Sequence, residues 1–204
     1  MKTSQILLII AGVIVAIALY IGLVKVPGTY NGAVKLQEEV VASWGNVEAT
    51  YQRRADLIPN LVSTVKGYAS HEKEVLLGVT EARSKVGQVQ IDASKLNEQN
   101  VRAYQQAQSG LTQALSKLMV VMEKYPDLKA NQNFLQLQAQ LEGTENRINV
   151  ARQRYNSEVK NYNTFIRGFW KKIYLGWTAE ENEFEKKAVF EADKGSENAP
   201  KVKF

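Results

Sequence analysis

Apolar residues along this chain are first continuous and then periodic. Ile6 to Val24 is a run of nineteen residues without a charge, flanked by Lys2 and Lys25. At helical rise it covers about 28 Å, close to the ~30 Å hydrocarbon layer of a bilayer. A cleaved signal peptide would have a shorter apolar core and a small-x-small site, and Val24-Lys25-Val26-Pro27-Gly28 offers no such site. The run predicts an uncleaved, single-pass transmembrane helix. Within it, Gly12 with Ala16 and Ala18 with Gly22 have the spacing that lets two membrane helices approach.

After the breaker Pro27-Gly28-Thr29 the apolar positions recur every three or four residues. Val40, Trp44, Val47, Tyr51, Ala55, Ile58, Val62, Val65 and Ala69 form one stripe, and Leu76, Val79, Ala82 and Val86 continue it. Pro59 falls inside the pattern, so a bent helix is expected from about Asn31 to Gly87, with Ser70, Glu72 and Glu74 as a second start signal. Asp92 and Ser94 are capping candidates for the next stripe, Val101 to Tyr125, which ends at Tyr125-Pro126-Asp127. The third begins near Asn131 and runs from Phe134 through Leu141, Ile148, Tyr155 and Tyr162 to Ile166, interrupted by Thr144. Thr178-x-x-Glu181 reads as a capping box and predicts a short helix from Ala179 to about Ala188. No segment alternates strictly, which disfavours strands. The expected fold is all-α, with an N-terminal transmembrane helix followed by an elongated antiparallel bundle of three long helices plus a short C-terminal helix. The expected organisation is an anchor and linker over 1–29, a helical bundle over 30–190 and a tail over 191–204.

Composition narrows the chemistry. With no cysteine and His71 as the single histidine in 204 residues, the chain has no disulfide, thiolate zinc site, cysteine nucleophile or multi-histidine metal site. Phosphate-loop, dinucleotide-binding, lipase-elbow and EF-hand patterns are absent. No catalytic residue, cofactor or metal ligand is therefore assigned. The formal charge is +5, but its cations are interspersed and no nucleic-acid-reading motif accompanies them, so nucleic acid is not an expected partner.

Three polar constellations stand out. Arg53, Arg54, Asp56 and Asn60 surround Pro59 and suit either an anion or partner site or the satisfaction of carbonyls that the proline frees. Glu142, Gly143, Glu145, Asn146 and Arg147 suit an interhelical ladder, with Gly143 expected where two helices cross closely. An enzyme or small-ligand-binding protein using carboxylates such as Glu142 and Glu145 is the competing reading. Trp170, Lys171, Lys172 and Trp177 mix aromatics with cations as membrane-interface segments do, or else cap the open end of the bundle.

Read together, Arg53-Arg54-x-Asp56-Leu57-Ile58-Pro59-Asn60-Leu61-Val62, Val65-Lys66-Gly67-Tyr68-x-x-His71-Glu72, Tyr125-Pro126-Asp127-Leu128-Lys129-Ala130-Asn131, Leu141-Glu142-Gly143-Thr144-Glu145-Asn146-Arg147-Ile148 and Arg154-Tyr155-Asn156 resemble the signature of the bacterial LemA family. The resemblance covers residues 30 to 167, and the ending Ala199 to Phe204 is also similar to family C-termini. It implies a transmembrane helix ahead of a helical bundle and no established catalytic residues. Phe169 to Trp177 departs from the glycine- and phenylalanine-rich stretch common in that family. The functional expectation is a non-enzymatic scaffold or interaction protein of the bacterial envelope, acting by self-association or by binding a protein or lipid. It is expected in the inner membrane, with its bundle on the periplasmic side because the leader ahead of the apolar run is short.

Overall fold

A computed structural model describes residues 3–191. The expected tail beyond Glu191, with its family-like ending, lies outside the described residues. All regular elements among the described residues are helical: α1 (Thr3–Tyr20), a π-helical turn (Ile21–Lys25), α2 (Val26–Tyr68), α3 (Lys73–Gln88), α4 (Glu98–Met122), α5 (Pro126–Lys129), α6 (Gln132–Ile166) and α7 (Phe169–Thr178).

Helical structure is continuous from Thr3 to Tyr68, so Pro27-Gly28-Thr29 does not break the chain as expected. The π turn directly precedes Pro27, and Val26 N–H donates to Ile21 O, five residues back. An inserted π turn of this kind rearranges the ladder where a proline can donate nothing. Pro59 is likewise absorbed without ending α2. It deprives Ala55 O of its helical donor, and Arg83 Nε from α3 supplies the bond at 2.9 Å. The freed carbonyl is satisfied across the bundle, by an arginine other than the two beside the proline.

The chain divides into two compact units. The second comprises, among the described residues, Ser43–Ser157 and residues 187–191. Here the expected bent helix is instead a helical hairpin, because α2 stops at Tyr68 and α3 restarts at Lys73. The turn is fixed by Tyr125, whose hydroxyl donates to Glu72 Oε1 at 2.9 Å, and by Asn131 Nδ2, which donates to the Tyr68 hydroxyl at 2.8 Å. The break adds a fourth bundle helix to the three long ones. Its core joins Ile58, Leu61 and Val65 of α2, Leu76 and Val79 of α3, Leu111 and Leu118 of α4, and Phe134 and Leu141 of α6.

Helix starts in this unit also differ in detail. Asn97, not Asp92 or Ser94, caps α4, accepting Asn100 N–H on Oδ1 at 2.9 Å. Asp92 Oδ1 accepts Ser94 N–H within the preceding loop. Asn131 caps α6 through Phe134 N–H at 3.1 Å, as its side chain suits.

The other unit comprises the chain up to Ala42 together with Glu158–Lys186. No large apolar side chain of α1 is buried, so its leucines, isoleucines and valines face outward. Phe165 of α6 meets Gly32 of α2, where an added Cβ would lie 2.7 Å from the ring tip. The helix expected over Ala179 to Ala188 is absent, and α7 takes its place one segment earlier. Thr178 is the last residue of α7, and its hydroxyl donates back to Tyr174 O at 3.0 Å rather than capping a new helix. Glu183 accepts Glu180 N–H at 3.0 Å on one oxygen and the Tyr30 hydroxyl at 2.7 Å on the other. Asn182 occupies the left-handed region at φ 66° and turns the segment.

Candidate functional site

Arg53, Arg54, Asp56 and Asn60 do not converge. Arg53, Asp56 and Asn60 lie on the exposed side of α2, and Asp56 accepts Gln52 Nε2 one turn away. Arg54 alone turns inward and is 2% exposed. Its guanidinium lies over the Tyr51 ring and donates to Thr112 Oγ1 at 3.0 Å, Gln108 Oε1 at 2.7 Å and Glu145 Oε2 at 3.1 Å. A cation buried this deeply requires such partners, since an unpaired one is strongly destabilising. The cluster ties α2 to α4 and α6. Gln108 and Thr144, both buried, were not separable from solvated polar residues by composition alone.

Along α6, Glu142 accepts Gln138 Nε2 at 3.0 Å in an exposed pair, while Glu145 faces Arg54. The two carboxylates thus belong to different surroundings. Asn146 and Arg147 are exposed. Gly143 is exposed too and has open space where a Cβ would sit, so the expected close crossing is not there. The close approach occurs at Gly32 instead. Thr144, which interrupts the stripe, is accommodated in the core by donating its hydroxyl to Gln140 O at 2.7 Å.

The least predictable feature is an aromatic socket holding residues 187–191, which form no regular element. Phe190 stacks on Trp44 with centroids 5.7 Å apart and meets the edge of Tyr155 at 5.4 Å. Asn156 pairs with both backbone groups of Phe190, at 2.8 and 3.0 Å. Gln105 does the same for Glu191, at 2.9 and 3.3 Å. Tyr155 donates to Ala188 O at 2.8 Å, and Lys187 Nζ reaches Ser94 O at 2.6 Å. Side-chain amides that satisfy backbone groups in this way substitute for a neighbouring strand. Burial pushes the Tyr155 and Tyr104 hydroxyls far above their ordinary range, and Tyr162 up to about 12. These phenols stay protonated throughout the physiological range. Of the three, Tyr155 donates its hydroxyl to Ala188 O.

A shallow groove of about 800 Å³ runs between α3 and α4, lined in part by Leu77, Gly78, Ala82, Ala107, Gly110 and Ala114. In the unit that contains α1, α7 buries Leu175 and exposes Phe169, Trp170 and Trp177. Lys171 folds back over the Phe165 ring at 3.6 Å, whereas Lys172 is exposed. Among the described residues, no group of three His, Asp or Glu side chains is arranged to hold a metal ion.

The sequence model of the LemA family matches residues 43–204. The protein LemA of Metamycoplasma hominis is 26% identical over 81% of this chain and 70% of its own length. Magnetosome protein MamQ 2 of Paramagnetospirillum magneticum is 27% identical over 67% of this chain, and MamQ of Magnetospirillum gryphiswaldense is 26% identical over the same share. The chain spans 57% of the length of each of these two magnetosome proteins.

Proposed function

The chain belongs to the LemA family, and from that premise we propose that it is a non-enzymatic, membrane-anchored helical scaffold that self-associates or binds an envelope protein or lipid. One observation carries this reading. An apolar helix long enough to cross a bilayer, with its large side chains unburied, continues without interruption into a helix that builds a packed bundle. Such a helix is stable in water only if lipid or protein covers it. A bundle on the periplasmic side of the inner membrane is part of this proposal. The α3–α4 groove, with exposed Leu77 at its wall, supports the partner-binding part of the proposal.

An enzyme built on Glu142 and Glu145 fits the geometry less well. Glu145 is committed to Arg54 and Glu142 to a solvent-facing amide pair, and a pair of working carboxylates must share a cleft.

Comparing Glu145→Gln with Glu142→Gln tests the choice. Losing the carboxylate that faces a buried guanidinium should cost about 1.5 to 3 kcal/mol, whereas the exposed substitution should stay within about 0.5 kcal/mol of the parent. In a deletion strain, complementation should fail only where thermal melting or the oligomer distribution has changed. A Glu142→Gln chain that melts and assembles normally yet fails to complement would contradict the scaffold reading.

A further inference from the structure

We propose that α7 is a second membrane contact, lying in the headgroup region of the same bilayer that α1 crosses and presenting Phe169, Trp170, Ile173 and Trp177 to lipid. At 3.6 residues per turn these four positions fall within an arc of about 100°. Leu175, the buried residue of the helix, projects on the opposite side. Phe169 is 72%, Trp170 64% and Trp177 70% exposed. Three large aromatics on one face of a ten-residue helix are thus exposed, touching only ring neighbours of the same helix, Phe169 on Trp170 and Trp177 on Tyr174.

Position identifies the occupant. α7 belongs to the same compact unit as α1. The first charged residue after the apolar run is Lys25, and Gly32 follows about 10 Å along the helix axis at 1.5 Å per residue. Phe165, packed on Gly32, is the penultimate residue of α6 and lies only three residues before Gly168, which precedes α7. The headgroup layer is about 5 to 8 Å deep on each side, so α7 starts close to the level of that layer. Tyr30, whose hydroxyl reaches Glu183 and whose ring meets Phe184 at 5.5 Å, holds the chain beyond α7 against the same stretch of α2.

Chemistry agrees with position. Indole rings prefer the interface, where an apolar body and a polar N–H are both accommodated. Lys172 borders the aromatic arc and suits anionic headgroups, while Lys171 braces the helix on Phe165. A second copy of the chain could also cover these rings, but nothing complementary to Lys172 is offered by the aromatic face itself.

The inference rests on the anchored reading, so the test separates the two. The full chain is reconstituted into phosphatidylcholine–phosphatidylglycerol vesicles, with and without brominated acyl chains, and alkaline carbonate extraction is run on the same vesicles. Retention after carbonate reports α1. Tryptophan quenching reports α7, because of the three tryptophans Trp44 is sealed in the bundle core. The expected result is strong quenching by the brominated lipid that falls to the residual of Trp44 alone in the W170F/W177F chain. Full carbonate retention with unquenched Trp170 and Trp177 overturns the proposal and leaves the anchor intact. A blue shift that grows with protein density but brings no bromine quenching also overturns it, by assigning the face to a second copy.

Discussion

Two glycines separate sequence expectation from structure at the scale of single residues. Gly143 stands beside Leu141 and Thr144 in a strong stripe, yet it faces open space. Gly32, unremarked in the sequence, abuts Phe165. Periodicity says which side of a helix faces inward, but how close a neighbour comes depends on a contact more than a hundred residues away. Gly143→Ala should therefore raise stability by up to about 1 kcal/mol, through helix propensity alone. Gly32→Ala should show no comparable gain, because the new methyl must displace a ring already pinned by Lys171. Equal rises in melting temperature for the two variants would remove the distinction. Glu48 offers a second test. Burial holds its carboxyl above the ordinary carboxylate range, so the protonated form is favoured by folding and the associated stability is lost as pH rises through the folded-state value. Glu48→Gln should melt like the parent at a pH below the ordinary carboxylate range and above it by a growing margin as pH rises toward neutrality. A margin independent of pH would show that the carboxyl's charge is not the cause.

Among elements, the long stripes were legible because burial on one face imposes a period of 3.6 over many turns. Val40, Trp44, Val47, Tyr51, Ala55, Ile58, Val65 and Ala69 are all buried as that period requires. Interruptions were harder to place. Pro27 and Pro59 carry strong local breaking signals, yet a π turn and the Arg83 bond absorb them, and the real break comes at Ala69–Glu72 where tertiary bonds from Tyr125 and Asn131 decide it. The capping box at Thr178 failed for a similar reason, since Tyr30 and Glu180 both claim Glu183 and hold the segment open. Residues 187–191 had no period to read, because a short strap with one aromatic anchor is held by side chains of α4 and α6 and by backbone carbonyls of Ser94 and Leu96. That anchor is testable. Phe190→Ala removes a ring enclosed by Trp44 and Tyr155 and should cost about 3 to 5 kcal/mol, with a red shift of Trp44 emission. Val189→Ala, on the exposed side of the strap, should change little. Comparable losses from both would mean that the backbone bonds, and not the socket, hold the strap.

For the whole molecule, the long apolar N-terminal helix, the all-helical class and the family were readable because each depends on patterns spread over many residues. The candidate sites were only partly readable. Arg54 and Glu145 do meet, but Arg53, Asp56, Asn60, Asn146 and Arg147 remain on exposed surface, since sequence proximity on a helix does not keep residues on one face. What the bundle is proposed to do, hold a partner at the membrane, is tested most directly by photocrosslinking the full chain in native membranes from probes at Leu77 and Val120, both exposed large apolar positions on α3 and α4. A membrane-bound scaffold should give discrete adducts larger than the monomer, containing either a second copy or one recurring envelope protein, and lose them when a charge replaces Leu77. Monomer alone at both positions, in membranes where the chain is folded and retained, would contradict it.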